Sequence, residues 1–128
     1  MIGVGDIDGL TAADVVHQRL STMPAHATVG EVRAFFAAST SHHVALLTDG
    51  ERYVGSIHAG TIRDDVDDVA PASEFAAPGP RVGPGTPAAG ARDAALAQES
   101  LRVAVVDDAG ALVGIVAITS TGDAFCGT

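Results

Sequence analysis

A chain of 128 residues, 47% of them hydrophobic, is long enough for one globular domain and apolar enough to form a core. Sixteen acidic residues against seven basic ones, all arginine, give a formal net charge of −9, which argues against DNA, RNA and anionic membranes as partners. The single cysteine, Cys126, allows no intrachain disulfide, and neither a signal peptide nor a membrane-spanning apolar run is recognisable, so a cytoplasmic protein is expected.

The first clearly predicted element is a helix from Val29 to Ala38. Thr28 stands three residues before Glu31, the spacing of a capping box at a helix start. Val32, Phe35 and Phe36 then recur at helical spacing and predict its apolar face.

Two strands joined by a turn are predicted next. Short aliphatic runs cover His43 to Thr48 and Tyr53 to Ile57, and the four residues between them favour a turn between antiparallel strands. An acidic run from Asp64 to Asp68 predicts the exposed face of a further helix, with a role in holding Mg²⁺ beside phosphates as the alternative. A proline- and glycine-rich stretch over residues 71–87 is interpreted as a crossing that supplies an edge strand around Arg81 to Gly83, with a flexible linker as the alternative.

The second half of the chain repeats the first. At an offset of 59, the fourteen residues from Val44 to Ile57 align without a gap with Val103 to Val116, and five pairs are identical. A second strand, turn and strand are therefore predicted, preceded by a helix from Pro87 to Gln98 with Thr86 as its cap. Because Thr86 lies only 58 residues after Thr28, a one-residue slip before this helix is predicted. A repeat of about 60 residues is too small to bury a good core alone, so the copies should pack as one domain.

The repeated pattern of an apolar strand, a glycine-containing turn and a second strand resembles the repeats of a cystathionine-beta-synthase (CBS) domain pair, or Bateman module. The clearest copy runs from Val103-Ala104-Val105-Val106-Asp107 to Leu112-Val113-Gly114-Ile115-Val116, and Thr11 to Val16 resembles the opening segment of that family. The resemblance covers about Thr11 to Phe125. It implies an α+β fold of two β-α-β-β-α units, residues 10–69 and 70–126, packed with pseudo-two-fold symmetry in a single domain.

The same resemblance implies a function. CBS domain pairs commonly bind an adenosine-containing ligand such as AMP, ATP or S-adenosylmethionine in the cleft between repeats and regulate a partner. A non-catalytic sensor without a resident cofactor is therefore expected, as a homodimer that regulates an unidentified protein in trans. The alternative with the same fold is a degenerate pair that serves as a dimeric interaction scaffold and binds no nucleotide.

The candidate site residues come from the family pattern, in which a Ser or Thr at a helix start meets phosphate and an Asp three residues later holds the ribose. Neither copy has that Asp at the usual distance after the strand glycine, but a shifted pair occurs in both copies: Thr61 with Asp64, and Ser120 with Asp123. The predicted ligand-binding residues are Ser120, Asp123, Thr61, Asp64, His58, Ala45 and Ala104. The simpler interpretation is that Thr61 and Ser120 are N-caps and both Asp residues lie in first helical turns.

Catalysis is the third hypothesis. A small hydrolase or metal-dependent enzyme would use His58 with Asp64, but the sequence offers neither a nucleophile nor a set of metal ligands for them. His42 and His43 are adjacent, so a strand would direct them to opposite faces, and no paired His or Cys spacing indicates zinc. We therefore expect no enzyme activity and no metal site.

Overall fold

The computed structural model describes residues 1–18, 22–40 and 42–128. Within these ranges the chain is α+β, with two three-stranded sheets. Its elements in chain order are α1 (Ala12–Val15), β1 (Thr22–Pro24), α2 (Val29–Ala38), β2 (Val44–Asp49), β3 (Arg52–His58), a 3₁₀ helix (Ala72–Phe75), β4 (Arg81–Val82), α3 (Ala88–Leu96), β5 (Arg102–Val106) and β6 (Leu112–Ala117). None of the helices in this described part is long and apolar enough to cross a membrane.

The chain forms two compact units. The central unit is Ser21–Gly79, and the terminal unit combines Met1–Leu20 with Pro80–Thr128. The division into repeats of residues 10–69 and 70–126 stays a prediction. With those boundaries, the central unit contains the sheet of the first repeat and the opening segment of the second. The terminal unit contains the opening segment of the first repeat and the sheet of the second.

The central unit is a sheet of order β1-β2-β3 with helix α2 packed against it. β1 runs parallel to β2, and β3 runs antiparallel to β2. Its buried core includes Val32, Ala45, Leu47, Ile57 and Ala72. The helix bounds and the capping box are confirmed, since the Glu31 amide donates to Thr28 Oγ1 at 3.3 Å and the Thr28 amide donates to Glu31 Oε1.

The terminal unit has the equivalent sheet, β4-β5-β6, with α3 against it. The parallel pairing of Arg81 with Ala104 confirms the predicted edge strand. Helix α3 begins at Ala88 with Pro87 as its N-cap, whereas Thr86 Oγ1 accepts a hydrogen bond from the Gly83 amide at 3.1 Å. The prediction that Thr86 caps this helix is therefore wrong, because its hydroxyl closes the preceding turn.

The one-residue slip between the copies lies in a strand and not before the helix. Helices α2 and α3 begin 59 residues apart. In the central hairpin Leu47 pairs with Gly55, but in the terminal hairpin Val105 pairs with Gly114, so β5 is offset by 58 while β6 is offset by 59. The ungapped alignment of β2 with β5 is therefore wrong by one residue, because the second hairpin has the longer turn.

A segment from elsewhere in the chain lies beside the last strand of each sheet. Ser56 of β3 forms an antiparallel bridge with Ala77, and Ile115 of β6 forms one with His17. The Ala77 segment follows the 3₁₀ helix and the His17 segment follows α1. The two units are thus alike in their sheets, their helices and these added segments.

The final helix predicted for each copy is wrong, because residues 59–70 after β3 and residues 118–128 after β6 contain no helix. Residues 59–70 and 119–123 form turns instead. Aspartate, threonine and glycine are poor helix formers, and Gly122 adopts a φ of 78° that ends any helical path. Thr61 and Ser120 are therefore not helix N-caps, and the acidic run is not a helix face.

Candidate functional site

The turn after β6 holds the carboxylate of Asp123 in one position. Thr119 Oγ1 and Thr121 Oγ1 each donate to Asp123 Oδ1 at 2.7 Å. These two bonds, first that of Thr121 and then that of Thr119, lower the pKa of Asp123. The carboxylate is therefore ionised at neutral pH, and neither threonine hydroxyl binds its second oxygen, Oδ2.

The backbone around this turn explains why it forms. The Thr119 amide donates to the Ala124 carbonyl at 2.9 Å, and the Gly122 amide donates to the Thr119 carbonyl at 2.8 Å. Phe125, which is fully buried, anchors the C-terminal side of the turn in the core of the terminal unit. Ser120 lies exposed in the same turn.

The loop after β3 carries the equivalent pair, Thr61 and Asp64, but lacks the two threonine hydroxyls that bind Asp123. At an offset of 59, the positions of the two threonines are occupied by Gly60 and Ile62, which have no hydroxyl. Asp64 is exposed and has no hydrogen-bond partner among the described residues. The Thr61 amide donates to the His58 carbonyl at 3.1 Å, so these two candidate residues lie together at the end of β3.

The two candidate alanines lie inside the sheets and face different ways. Ala45 is fully buried and belongs to the core beneath α2. In β5 it is Val103 and Val105 that face α3, and Ala104 lies between them with 5% of its surface exposed. Since side chains alternate along a strand, the one-residue slip places Ala104 on the opposite face from Ala45. Val103 is the residue equivalent to Ala45.

Sequence reasoning missed the side chains that hold the two loops. Thr119 and Thr121 alternate with Ser120 ahead of Asp123, and that run of hydroxyls after a buried strand was the available signal. Arg33 gave no local signal, because it contacts the loop after β3 from helix α2, about thirty residues earlier in the chain.

Histidines and acidic residues do not gather into a metal centre in the described part of the chain, where no group of three potential ligands is close enough to hold an ion. The His42 ring instead stacks on Phe35, with the ring centroids 4.1 Å apart, and its Nδ1 lies 2.7 Å from the Phe35 carbonyl oxygen. His43 is exposed. His42 therefore packs at the C-terminal end of α2.

Three of the open pockets are lined by residues that the structure describes, and these three contain no candidate residue. One, of about 470 Å³, is lined by Val16, His17, Gln18 and Gly127. The other two, of about 540 and 380 Å³, lie at the carboxyl ends of the parallel strands of each sheet. The candidate Ser, Thr and Asp residues lie instead on exposed loops.

Comparisons with known proteins were made on sequence and on structure. No family model and no curated protein matches the chain. A CBS domain pair/ACT domain protein from Thermotoga maritima superimposes with a TM-score of 0.72 at 18% identity, over 84% of this chain and 89% of that one. A CBS domain protein from Pyrobaculum aerophilum, complexed with AMP, has a TM-score of 0.65 at 22% identity, over 84% and 87% of the two chains. This chain has the fold of a CBS domain pair.

A third structure extends the comparison. The cytosolic domain of the Mg²⁺ channel MgtE in complex with ATP matches with a TM-score of 0.67 at 23% identity, over 84% of this chain and 45% of that one. The resemblance to CBS domain pairs, read from the tandem repeat, is confirmed at the level of the fold. The α+β class is confirmed with it.

Proposed function

We propose that this CBS domain pair is a non-catalytic regulatory module that binds an adenosine-containing ligand such as AMP, ATP or S-adenosylmethionine. Two solved structures with the same fold support this, since one is a complex with AMP and the other a complex with ATP. Within the chain itself, the observation that carries the proposal is the Asp123 carboxylate, fixed through Oδ1 with Oδ2 left available.

The chemistry of this carboxylate suits a ribose. An ionised carboxylate is an acceptor only, and the hydroxyls of a ribose are donors that Oδ2 would bind. Two hydroxyl donors on Oδ1 hold the group in place before a ligand arrives, which reduces the ordering cost of binding. Ser120, exposed beside it, would supply a further hydroxyl.

Charge favours some adenosine ligands over others. The chain carries a formal net charge of −9 and contains no lysine. A ligand with several phosphates would meet this negative field, whereas AMP or the cationic S-adenosylmethionine would meet less repulsion. We therefore propose AMP and S-adenosylmethionine ahead of ATP. The homodimer, the cytoplasmic location and the partner regulated in trans are further parts of the proposal.

Titration calorimetry of the purified protein with AMP, ATP and S-adenosylmethionine tests the proposal. Saturable binding of at least one ligand is expected, and Asp123→Ala should weaken it by about tenfold, the equivalent of one hydrogen bond to a charged group. Asp8→Ala, which removes another exposed carboxylate, is the matched control and should bind as the unaltered protein does.

Two outcomes would contradict the proposal in different ways. Equal affinity in Asp123→Ala and Asp8→Ala would remove Asp123 from the site. Failure of the unaltered protein to bind any of the three ligands would favour the degenerate scaffold, an alternative supported by the missing Asp at the usual distance after Gly55 and Gly114.

A further inference from the structure

We infer that Arg33 is the positioning residue for the loop that carries Thr61 and Asp64, so that helix α2 sets the shape of this candidate ligand-binding loop within the central unit. The ligand consequence of this inference rests on the proposed function. The effect of Arg33 on the loop does not, and it is carried by contacts within the central unit.

The guanidinium of Arg33 binds three groups of the loop at once. Nη1 donates to the Val66 carbonyl at 2.8 Å, and Nη2 donates to the Arg63 carbonyl at 2.7 Å. Nη1 also forms an ion pair with Asp68. The Arg33 side chain is only 31% exposed, so these contacts are partly shielded from water. Because the guanidinium is planar and presents its donors in a fixed fork, it fixes the relative position of the carbonyls that it binds.

The two ends of the loop are held by different contacts. At the C-terminal end, the Asp68 and Ala70 carbonyls accept from the Gly30 and Val29 amides, each at 2.9 Å, which ties the loop to the first turn of α2. Toward its N-terminal end, the partly buried Ile62 packs against the core of the central unit. Between these points the described polar contacts to α2 come from Arg33, one turn further along the helix.

Comparison of the two copies supports this role for Arg33. The counterpart of Arg33 at an offset of 59 is Arg92 on α3, whose Nη1 donates to the Val4 carbonyl at 3.2 Å and whose Nε pairs with Asp93. The turn after β6 has its own threonine hydroxyls and needs no such support. The loop after β3 lacks those hydroxyls, and an arginine from the helix holds it instead.

Amide hydrogen exchange measured on Arg33→Lys tests the effect on the loop. Lysine keeps the charge but cannot bind two carbonyls through a rigid fork. The Val66 and Ala70 amides, which donate within the loop to the Arg63 and Asp67 carbonyls, should exchange about tenfold faster than in the unaltered protein, as expected when a local opening loses a charged hydrogen bond. The Val32 amide in α2 should keep its exchange rate.

Calorimetry with AMP on the same variant tests the consequence for the ligand. Arg33→Lys should bind AMP about threefold to tenfold more weakly, whereas Arg52→Lys, at an exposed position on β3, should bind it unchanged. Unchanged exchange at Val66 and Ala70 would overturn the positioning role. Faster exchange with unchanged AMP affinity would overturn the ligand consequence. If the unaltered protein does not bind AMP, the proposed function fails together with the ligand consequence, while the exchange rates still decide what holds the loop.

Discussion

The side chain of Asp123 is fixed by hydrogen bonds from neighbouring residues in the chain and not by burial. The carboxylate lies on an exposed turn, and the hydroxyls of Thr121 and Thr119 donate to one of its oxygens. A hydrogen bond to the ionised form stabilises that form and lowers the pKa. The same two hydroxyls therefore fix the position of the group and keep it charged.

Replacing Thr121 with valine should raise the pKa of Asp123 toward its usual value, because the largest cause of the shift is then lost. Carbon-13 NMR titration of the side-chain carboxyl measures this directly. Ser120→Ala, next to it and outside the hydrogen-bond set, is the matched control and should leave the titration unchanged. An equal pKa in Thr121→Val and the unaltered protein would show that the hydroxyl does not hold the carboxylate.

The lowered pKa also fixes the sign of the pH dependence. A carboxyl whose pKa is depressed by folding contributes stability above its unfolded pKa, and that contribution is lost as the pH falls through the folded value. Thr121→Val should therefore be less stable than the unaltered protein at neutral pH. The difference should shrink once acid has protonated Asp123.

At the scale of elements, packing explains why both copies have a glycine at the same position of their last strand, Gly55 and Gly114. A Cβ on Gly114 would lie 2.7 Å from the His17 carbonyl oxygen, and one on Gly55 would lie 2.9 Å from the Ala77 carbonyl oxygen. Each glycine thus makes room for the segment that bridges to β3 or β6. The identity of this residue in the repeat follows from the close approach of two backbones.

Gly114→Ala should destabilise the protein by about 1–3 kcal/mol, the usual cost of an overpacked site that must shift backbone. Urea unfolding measures the difference. Gly85→Ala is the control, because a Cβ there meets nothing within 4 Å, and it should change stability by less than about 0.5 kcal/mol. Equal stability of the two variants would mean that the His17 segment does not approach β6 as closely as described.

Local patterns predicted those elements whose signals lie close together in the chain. The capping box placed α2, and the aliphatic runs placed both hairpins to within about two residues. The helix after β3 was predicted from the acidic run and the one after β6 from family order. Both predictions failed, because aspartate, threonine and glycine favour turns, and Gly122 in the turn after β6 has a positive φ. The slip in β5 escaped detection because identical residues, such as Ala45 and Ala104, matched better in an ungapped alignment than in the true register.

The candidate site was predictable only where its residues lie close together in the chain. The Ser120 and Asp123 pair was visible as a repeated spacing, and the structure places it on one well-defined turn. Its partners Thr119 and Thr121 were adjacent in sequence but had no family position to indicate them. Arg33 depends on a contact across the tertiary structure, which spacing along the chain does not reveal.

At the scale of the whole molecule, the fold is that of a CBS domain pair although identity to the compared structures is between 18% and 23%. Such a likeness fixes the architecture, and function must be argued from the site. The proposed site of this chain differs from the family pattern in the position of its aspartates. The central claim is that the chain is a regulatory module that binds an adenosine ligand despite these differences.

Thermal unfolding of the unaltered protein with and without ligand tests that claim most directly. A ligand that binds only the folded state adds about 2.7 kcal/mol at a hundred times its Kd, which should raise the Tm of a chain of this size by several degrees. We expect a saturable increase with AMP or S-adenosylmethionine at about 1 mM, and none with guanosine monophosphate. An unchanged Tm with AMP, ATP and S-adenosylmethionine would contradict the claim and favour a scaffold that binds no nucleotide.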